Sequence, residues 1–528
     1  MIMRDTCTKP STPLRLALAY TPGETLTDAQ AMLIDRLSAS GEFQLVGKLA
    51  GQRLTVMQRP PFLVRWVLAA ERYLMSRRIA KYDTAAATAR LAELSEIRDE
   101  AARPVFDVAL VLGASTLAQK HLQLARVGEV SVTYEGSSTP DWIGTCRTVF
   151  TAPNIKVDIV LRKLGETIGR TLRRAAYNPK PGAVLTGAFV AEKTVLLVLR
   201  TLKDLQSNPD FGHDLAEPLP PRAPSGHADL LPYVGSFLST ACERLARRLP
   251  GKLSSPNLTW RVMSGTSDRM DINLRDAWDL PANAYFMADP FLFEHDGETW
   301  IFYEAMGQND SNGWIEAARL GEGFLSPSVV ALKRPYHLSY PYLFREGNDI
   351  FMVPETQQKM RLEVWKAKTF PTEWELHATA FEGEYLADSS LFRTEDGQCW
   401  LLTNLSDHYA FQDHSSELYL FAVDGPDLAT IVPHPQNPVV IGSDVARNAG
   451  SVIRREASIY RPSQNNSFGV YGYGLNIMEI TRLDHKAYEE RLVHRFTPED
   501  KPGSIGLHHL NMLRDRYVID WCTTSPDR

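Results

Sequence analysis

Cysteine is scarce in this chain. There are five in 528 residues, Cys7, Cys146, Cys242, Cys399 and Cys522, odd in number and far apart. Such spacing offers neither the paired ligands of a zinc site nor a disulfide framework, and it favours a reducing compartment. An excess of one charge is also missing. The 57 basic and 63 acidic side chains leave −6, so no global field draws in nucleic acid and no nucleic-acid partner is expected. No apolar run approaches the roughly 20 residues needed to cross a bilayer. The opening residues, Met1-Ile2-Met3-Arg4-Asp5, lack the apolar stretch and small-residue cleavage site of a secretory leader. A cytoplasmic location is the expectation. No Gly-rich dinucleotide fingerprint follows the first strand-like segment, where Thr21-Pro22-Gly23-Glu24 holds a single glycine, and no cofactor is expected.

What is present is the composition of a soluble globular chain, 44% hydrophobic and 23% charged, too long for one core. The pattern divides it into an α/β domain over 1–205, a Pro-rich linker and helix over 206–258, and an all-β domain over 259–528. In the first part, Leu14–Tyr20, Phe43–Leu49, Asp107–Gly113 and Val130–Tyr134 read as strands, with a helix over Thr27–Ser38. Strands alternating with helices predict a mostly parallel, Rossmann-like sheet covered on both faces. The segment 62–78 has apolar residues at three- and four-residue spacing and arginines toward its end. That pattern fits a membrane-surface helix making peripheral contact with lipid. It fits equally a core helix whose basic last turn complements the helix dipole. Four prolines within Glu217–Pro224 mark the linker, and a helix over Leu231–Arg248 follows.

The α/β part resembles the formyltransferase fold of the methionyl-tRNA formyltransferases. There a strand-turn segment supplies Asn and His to formyl transfer, before an aromatic-rich loop and a later Asp. The matching stretches here, Gly128–Gly136 and Pro140-Asp141-Trp142, contain neither Asn nor His, and Asp158 stands alone. The resemblance therefore implies a degenerate scaffold, and fold by itself confers no activity.

A repeat dominates the second half. A small or polar pair precedes an apolar strand, a turn and a second apolar strand. The copies begin at Ala288-Asp289-Pro290, Ser339-Tyr340-Pro341, Ala387-Asp388-Ser389, Ala449-Gly450-Ser451 and Leu507-His508-His509. Successive starts, counted from Asp289 through Tyr340, Asp388, Gly450 and His508, lie 51, 48, 62 and 58 residues apart. Periods near 50 with turns at Asp296-Gly297, Glu346-Gly347 and Asp396-Gly397 predict a five-bladed β-propeller.

In a propeller the inner strands line the axis, so equivalent positions of the five copies converge. These positions carry Asp289, Tyr340, Asp388, Gly450 and His508, with Glu304, His337, Glu355, Arg447, Arg461 and Gln464 on adjoining strand ends. Carboxyl groups crowded into one concave site cannot all ionise freely, which leaves an acid beside a base, the requirement of glycoside chemistry. The candidate catalytic residues are Asp289, Asp388, Glu355 and Glu304. The candidate substrate-binding residues are His337, Tyr340, Arg447, Arg461, Gln464 and His508. Bland alternatives stand beside them: Asp289 initiating a turn before Pro290, Glu304 in a structural pair with Arg447 or Arg461, Glu355 at the surface, and His337 in the core. His508-His509 suggests a metal, but strand alternation points neighbours to opposite faces, so no metal ligand is assigned.

The stretches Ala288–Phe293, His337-Leu338-Ser339-Tyr340-Pro341, Pro354-Glu355-Thr356 and Tyr460-Arg461-Pro462-Ser463-Gln464 resemble the N-terminal region of the glucosamine inositolphosphorylceramide transferase family and its bacterial relatives. The propeller is similar to glycoside hydrolase family 43. That likeness implies a base Asp in the first blade, Asp289, and a second Asp in the third, Asp388. It also implies a general-acid Glu near the fourth blade, where Gly450–Ile453 has none, leaving Glu355 or Glu304 as substitutes. The plant transferases carry a glycosyltransferase domain after the propeller, whereas this sequence runs to Arg528, so their activity is not carried over. The expected function is cleavage or transfer of a glycosyl unit on a carbohydrate or glycolipid substrate. The alternative is a non-catalytic glycan-binding or assembly module.

Overall fold

The structure, a computed structural model, describes residues 12–54, 61–79, 81–98, 104–138, 153–209, 211, 217–220, 227–246, 258–268, 270–308, 310–406 and 413–524. The stretch Pro140-Asp141-Trp142, Cys7, Cys146 and part of the Pro-rich linker lie outside these residues. The chain divides into two compact units, Met1–Arg244 and Leu245–Arg528.

The first unit is built on a six-stranded sheet of β1 (Leu14–Tyr20), β2 (Phe43–Ala50), β3 (Phe106–Val111), β4 (Ala125–Tyr134), β5 (Ile155–Arg162) and β6 (Arg170–Tyr177), in the order β2-β1-β3-β4-β5-β6. The first four strands pair in parallel and the last two antiparallel. The β5–β6 pairing is antiparallel because its short connection leaves no room for a crossover helix. Helix α1 (Asp28–Ala39) starts where expected because Thr27 and Gln30 form a reciprocal capping box. Asp158 is buried and held by Arg174 at 2.6 and 2.8 Å across the β5–β6 pair, a structural ion pair. The longer helices after α1 are α2 (Phe62–Met75), α3 (Thr84–Glu93), α4 (Ala183–Ser207) and α5 (Leu230–Ala246). Segment 62–78 is helical over its first fourteen residues and packs by one side only. Val64 and Glu71 are buried, while Phe62, Leu63, Trp66, Tyr73 and Leu74 are exposed. No helix of the described residues is long and apolar enough to cross a membrane.

The second unit is a ring of five antiparallel sheets. Blade 1 runs through Phe286–His295, Glu298–Met306, Trp314–Arg319 and Val329–Leu332; blade 2 through Ser339–Glu346, Asp349–Glu355, Leu362–Thr369 and Glu373–Ala380. Blade 3 uses Tyr385–Arg393, Cys399–Ser406, Glu417–Val423 and Ile431–Pro433, and blade 4 uses Ile453–Arg455, Ser458–Ser467, Val470–Leu483 and Tyr488–Phe496. Blade 5 is composite. Its inner strands, Gly506–Leu513 and Arg516–Thr524, come from the end of the unit, and Leu258–Thr266 pairs antiparallel with Arg516–Thr524 along its length. That pairing, which the repeat pattern does not reveal, closes the ring and removes an open sheet edge. The turn Asp296-Gly297 has positive φ at both residues, 51° and 77°, as a two-residue hairpin requires.

The inner strands share one irregularity. Register breaks between Ala288 and Phe291, Ser339 and Tyr342, Ala387 and Ser390, and Leu507 and Leu510. Asp289, Tyr340 and Asp388 each have φ near +50°, the left-handed region. Each is a bulge that releases backbone groups from the ladder and turns a side chain toward the axis. The released N–H groups find acceptors on neighbouring blades. Asp289 N–H donates to Asp520 Oδ2 at 2.9 Å and Tyr340 N–H to Asp289 Oδ2 at 3.1 Å. Blades 4 and 5 meet through Leu510 N–H on Ala449 C=O at 2.7 Å.

That close approach explains Gly450, which has φ 138° and where a Cβ would fall 1.9 Å from Leu510 O. Gly450→Ala is expected to destabilise the chain by about 3 kcal/mol or more, seen as an earlier midpoint in urea denaturation. An unchanged midpoint would remove this contact from the account of ring closure.

Candidate active site

Four carboxyl groups are buried together at the axis, one from each of the bulges at Asp289 and Asp388 and one from the ends of two second strands, Glu304 and Glu355. Asp289 is central to one side of the site. Its Oδ2 accepts Tyr340 N–H, while its Oδ1 lies 3.6 Å from His508 Nε2 and 3.5 Å from His509 Nδ1. Burial pushes its carboxyl up to about 7, opposed by His508 and reinforced by Asp520 and Asp388. His508 Nδ1 sits 2.7 Å from Asp520 Oδ2, an ion-pair contact outside good hydrogen-bond geometry. Burial acts to lower His508, but the Asp520 and Asp289 carboxylates outweigh it and hold the imidazole above its ordinary range. His508 also stacks on Trp260, ring centres 3.9 Å apart.

On the blade 1–2 side, Glu304 faces His337, Oε1 to Nε2 3.4 Å. Gly313 N–H donates to His337 Nδ1 at 2.9 Å, which leaves the proton on Nε2, aimed at Glu304. His337 keeps 31% of its side chain exposed and burial holds it below its usual value, so it is a neutral donor at the rim. Glu304 is raised well above the ordinary carboxyl range by burial, then by Asp289 and Glu355. Glu355 is raised likewise by burial and by the nearby Asp388 carboxyl; Arg447 opposes the rise. Asp388 is paired with Arg447, Oδ2 to Nε 2.6 Å, and Arg447 Nη2 lies 3.7 Å from Glu355 Oε2. Gln464 Nε2 stands 3.5 Å from both Asp388 Oδ2 and the Tyr471 hydroxyl, and the Arg447 guanidinium lies over the Tyr471 ring.

Three expectations need correction. Tyr340 is not a free ligand-binding hydroxyl. It spans the axis from blade 2 to blade 4, donating to Gly450 C=O at 2.9 Å and accepting Gly450 N–H at 3.0 Å. With Phe291 and His509, whose rings lie 4.6–5.2 Å from one another or from Tyr340, it forms the floor of the site. Arg461 is fully buried (0% exposed) and faces away from the cluster, held by Glu490 at 2.6 and 2.9 Å and by Val445 C=O at 2.7 Å. It braces blade 4. His508 and His509 do not point to opposite faces; both reach Asp289, because the bulge between Leu507 and Leu510 breaks the alternation. The remaining candidates, Asp289, Asp388, Glu355, Glu304, His337, Arg447, Gln464 and His508, are brought together.

The sequence reading missed Asp520 and Tyr471 as participants. Asp520 is fully buried and accepts the N–H groups of Asp289, His508 and His509 at 2.9, 3.2 and 2.9 Å. Its one legible signal was a carboxylate inside the apolar run Val518-Ile519-Asp520-Trp521. Asp289, His508 and Asp520 bring ligand atoms within 4.8 Å of one another, the spacing of a metal seat. Asp520, however, is already committed to three backbone donors, and the cluster is equally accounted for as the clamp that fixes the bulges. Chemically, the site pairs carboxyl groups of raised proton affinity with one poised near neutrality, a combination suited to general acid–base transfer at an acetal.

A five-bladed propeller with a buried, acid-rich axial site is thus the class that fold and geometry define. Residues 272–511 match the family described as Glucosamine inositolphosphorylceramide transferase 1, N-terminal. The chain is 33% identical over 243 residues to glucosamine inositolphosphorylceramide transferase 1 of Oryza sativa subsp. japonica, covering 44% of this chain and 31% of that protein. It is 32% identical over 216 residues to the protein of that name from Arabidopsis thaliana, covering 40% and 27%. The matched part therefore spans about a third of these curated relatives or less. Among solved structures, the exo-beta-1,3-galactanase of Phanerochaete chrysosporium is similar at 10% identity and TM-score 0.35, over 49% of this chain and 64% of that one. A thermostable family-43 glycoside hydrolase is similar at 12% identity and TM-score 0.34, over 46% and 95%. Likenesses at that level carry no argument about chemistry.

The raised Asp289 carboxyl makes a prediction about stability. A carboxyl whose folded value, about 7, exceeds its ordinary 3.8 binds its proton more tightly in the folded state, so its contribution to stability is lost as pH rises between those values. Asp289→Asn mimics the protonated form and keeps an acceptor for Tyr340 N–H. Its stability relative to the wild type is expected to match near pH 4 and to exceed it by on the order of 2–4 kcal/mol near pH 8. Urea denaturation of both proteins across that range is the check; a difference independent of pH would mean that Asp289 titrates normally.

Proposed function

We propose that the propeller is a carbohydrate-active site that cleaves or transfers a glycosyl unit of a carbohydrate or glycolipid. The observation that carries this reading is the quartet Asp289, Glu304, Glu355 and Asp388, in which burial and mutual repulsion raise Glu304 and Glu355 well above the ordinary carboxyl range and push Asp289 up to about 7. In this reading Glu355 gives its proton to the leaving-group oxygen, and Asp289 takes the proton of the attacking hydroxyl, from water or a sugar acceptor. Asp388, paired with Arg447 and close enough to Glu355 to raise its proton affinity, tunes the acid. His337 Nε2–H holds Glu304 at the rim, and Gln464, Tyr471 and His508 offer polar and aromatic surface to a sugar ring. The similarity of residues 272–511 to the N-terminal part of a family named for glucosamine transfer to inositolphosphorylceramide supports the carbohydrate class.

A second reading is a glycan-binding or assembly module without turnover. It is favoured by the saturation of Asp388 by Arg447 and by the backbone donor already on Asp289. The N-terminal sheet is proposed to be a degenerate formyltransferase-like scaffold, supported by the absence of Asn and His from 128–136, and the location to be cytoplasmic, consistent with the unpaired, buried thiols Cys399 and Cys522.

The test is a glycan-array and thermal-shift screen of the wild type beside Asp289→Asn and Glu355→Gln, followed by product analysis of each bound oligosaccharide or activated donor. Catalysis predicts that all three bind a common sugar while turnover falls by about 10²–10⁴-fold in each variant. Equal binding with no product from the wild type selects the recognition module.

A further inference from the structure

We infer that helix α2 of the N-terminal unit is a docking face for an anionic lipid bilayer, an inference independent of the reaction in the propeller. Its orientation is fixed from within. Glu71, buried on its inner side, accepts Val184 N–H at 2.8 Å and the Tyr233 hydroxyl, tying α2 to the start of α4 and to α5. Gly182 packs so closely that a Cβ there would lie 2.4 Å from Glu71 Oε1. Val64, Ala183, Leu230 and Tyr233 form the apolar seam beneath, with Val67 and Leu68 against it. The helix therefore cannot roll to bury its other side.

That other side is the reverse of a solvated helix face. Phe62, Leu63, Trp66, Tyr73 and Leu74 are all exposed, Trp66 by 64% and Tyr73 by 83%. At 100° per residue they form one stripe along the helix. Arg65 and Arg72, seven residues apart, lie on one flank of it, and Arg77 follows just beyond its end; all three are exposed. Among the described residues no carboxylate pairs with these arginines, and the only acid of α2 is the buried Glu71. α5, packed beside α2, adds exposed Leu231 and Leu238.

Tryptophan, tyrosine and aliphatic side chains flanked by arginine match the boundary of an anionic bilayer, where rings sit at the headgroup level and guanidinium groups meet phosphate. A second copy of the chain fits less well: a two-fold interface would set this patch against itself and bring arginines toward arginines. The chain's net charge of −6 makes the local concentration of positive charge the more distinctive.

The experiment is co-sedimentation of the full chain with vesicles of phosphatidylcholine alone and of phosphatidylcholine with phosphatidylglycerol in equal parts. The expected result is pelleting with the anionic vesicles only, weakened by salt. Arg65→Gln and Arg72→Gln should each loosen binding about fivefold, and about 25-fold together. Trp66→Ser with Tyr73→Ser should abolish it. All four side chains are exposed, so the variants should unfold at the wild-type temperature, which separates lost binding from lost folding. Absence of pelleting, or pelleting indifferent to lipid charge and to these substitutions, overturns the inference. So does a monomer–dimer equilibrium in sedimentation that Trp66→Ser abolishes, since a second copy would then cover the face.

Discussion

The inner strands of the propeller carry bulges, and almost everything at the axis follows from what those bulges do to the backbone. Each one frees N–H groups that must be satisfied away from water. The acceptors are carboxylate oxygens of the same or the next blade: Asp520 takes the donors of His508 and His509 within blade 5 and that of Asp289 from blade 1, and Asp289 takes that of Tyr340 from blade 2. The ring is thus stitched across blade boundaries by the same groups that line the site. Asp289 is at once a structural acceptor through one oxygen and a reactive candidate through the other. Left-handed φ at Asp289, Tyr340 and Asp388 is local strain held in place by this stitching.

Closing the floor has an electrostatic consequence. Tyr340 crosses the axis to Gly450, and Phe291 and His509 pack beside it, leaving the carboxyl groups in a poorly hydrated recess. There the cost of charging each group is high and neighbours of like sign raise it further. One cation, Arg447, sits nearest to Asp388 and opposes the rise at Glu355. The quartet is split by position: Asp388 paired with Arg447, two glutamates of raised proton affinity beside it, and Asp289 under the influence of His508. Burial of the arginines follows a different logic at Arg461, whose guanidinium is spent on Glu490 and carbonyl groups within blade 4, as a buried cation must be.

The five blades were legible in the sequence because each copy repeats a local pattern of alternation and turn, and the three hairpin turns with glycine lie where such turns require it. The parallel strands of the N-terminal sheet and α1 were legible for the same reason. Less visible were the antiparallel pair β5–β6 and the closing strand Leu258–Thr266, since pairing partners distant in sequence leave no local mark. The site was legible as a set of residues converging on the axis. It was not legible as roles: Tyr340 looked like a ligand-binding phenol and Arg461 like a substrate clamp.

By itself the sequence determined the number of blades, the element types and the axial address of Asp289, Asp388 and His508, because those depend on periodicity and on turns a few residues long. Only the tertiary structure decided which groups meet: Tyr340 with Gly450, Arg447 with Asp388, Arg461 with Glu490, and both His508 and His509 with Asp289. Protonation belongs to the same category, since a carboxyl's proton affinity is set by its burial and by the charges around it. Those neighbours come from blades far apart in the chain, and the bulge that turns them inward breaks the alternation from which a sequence is read.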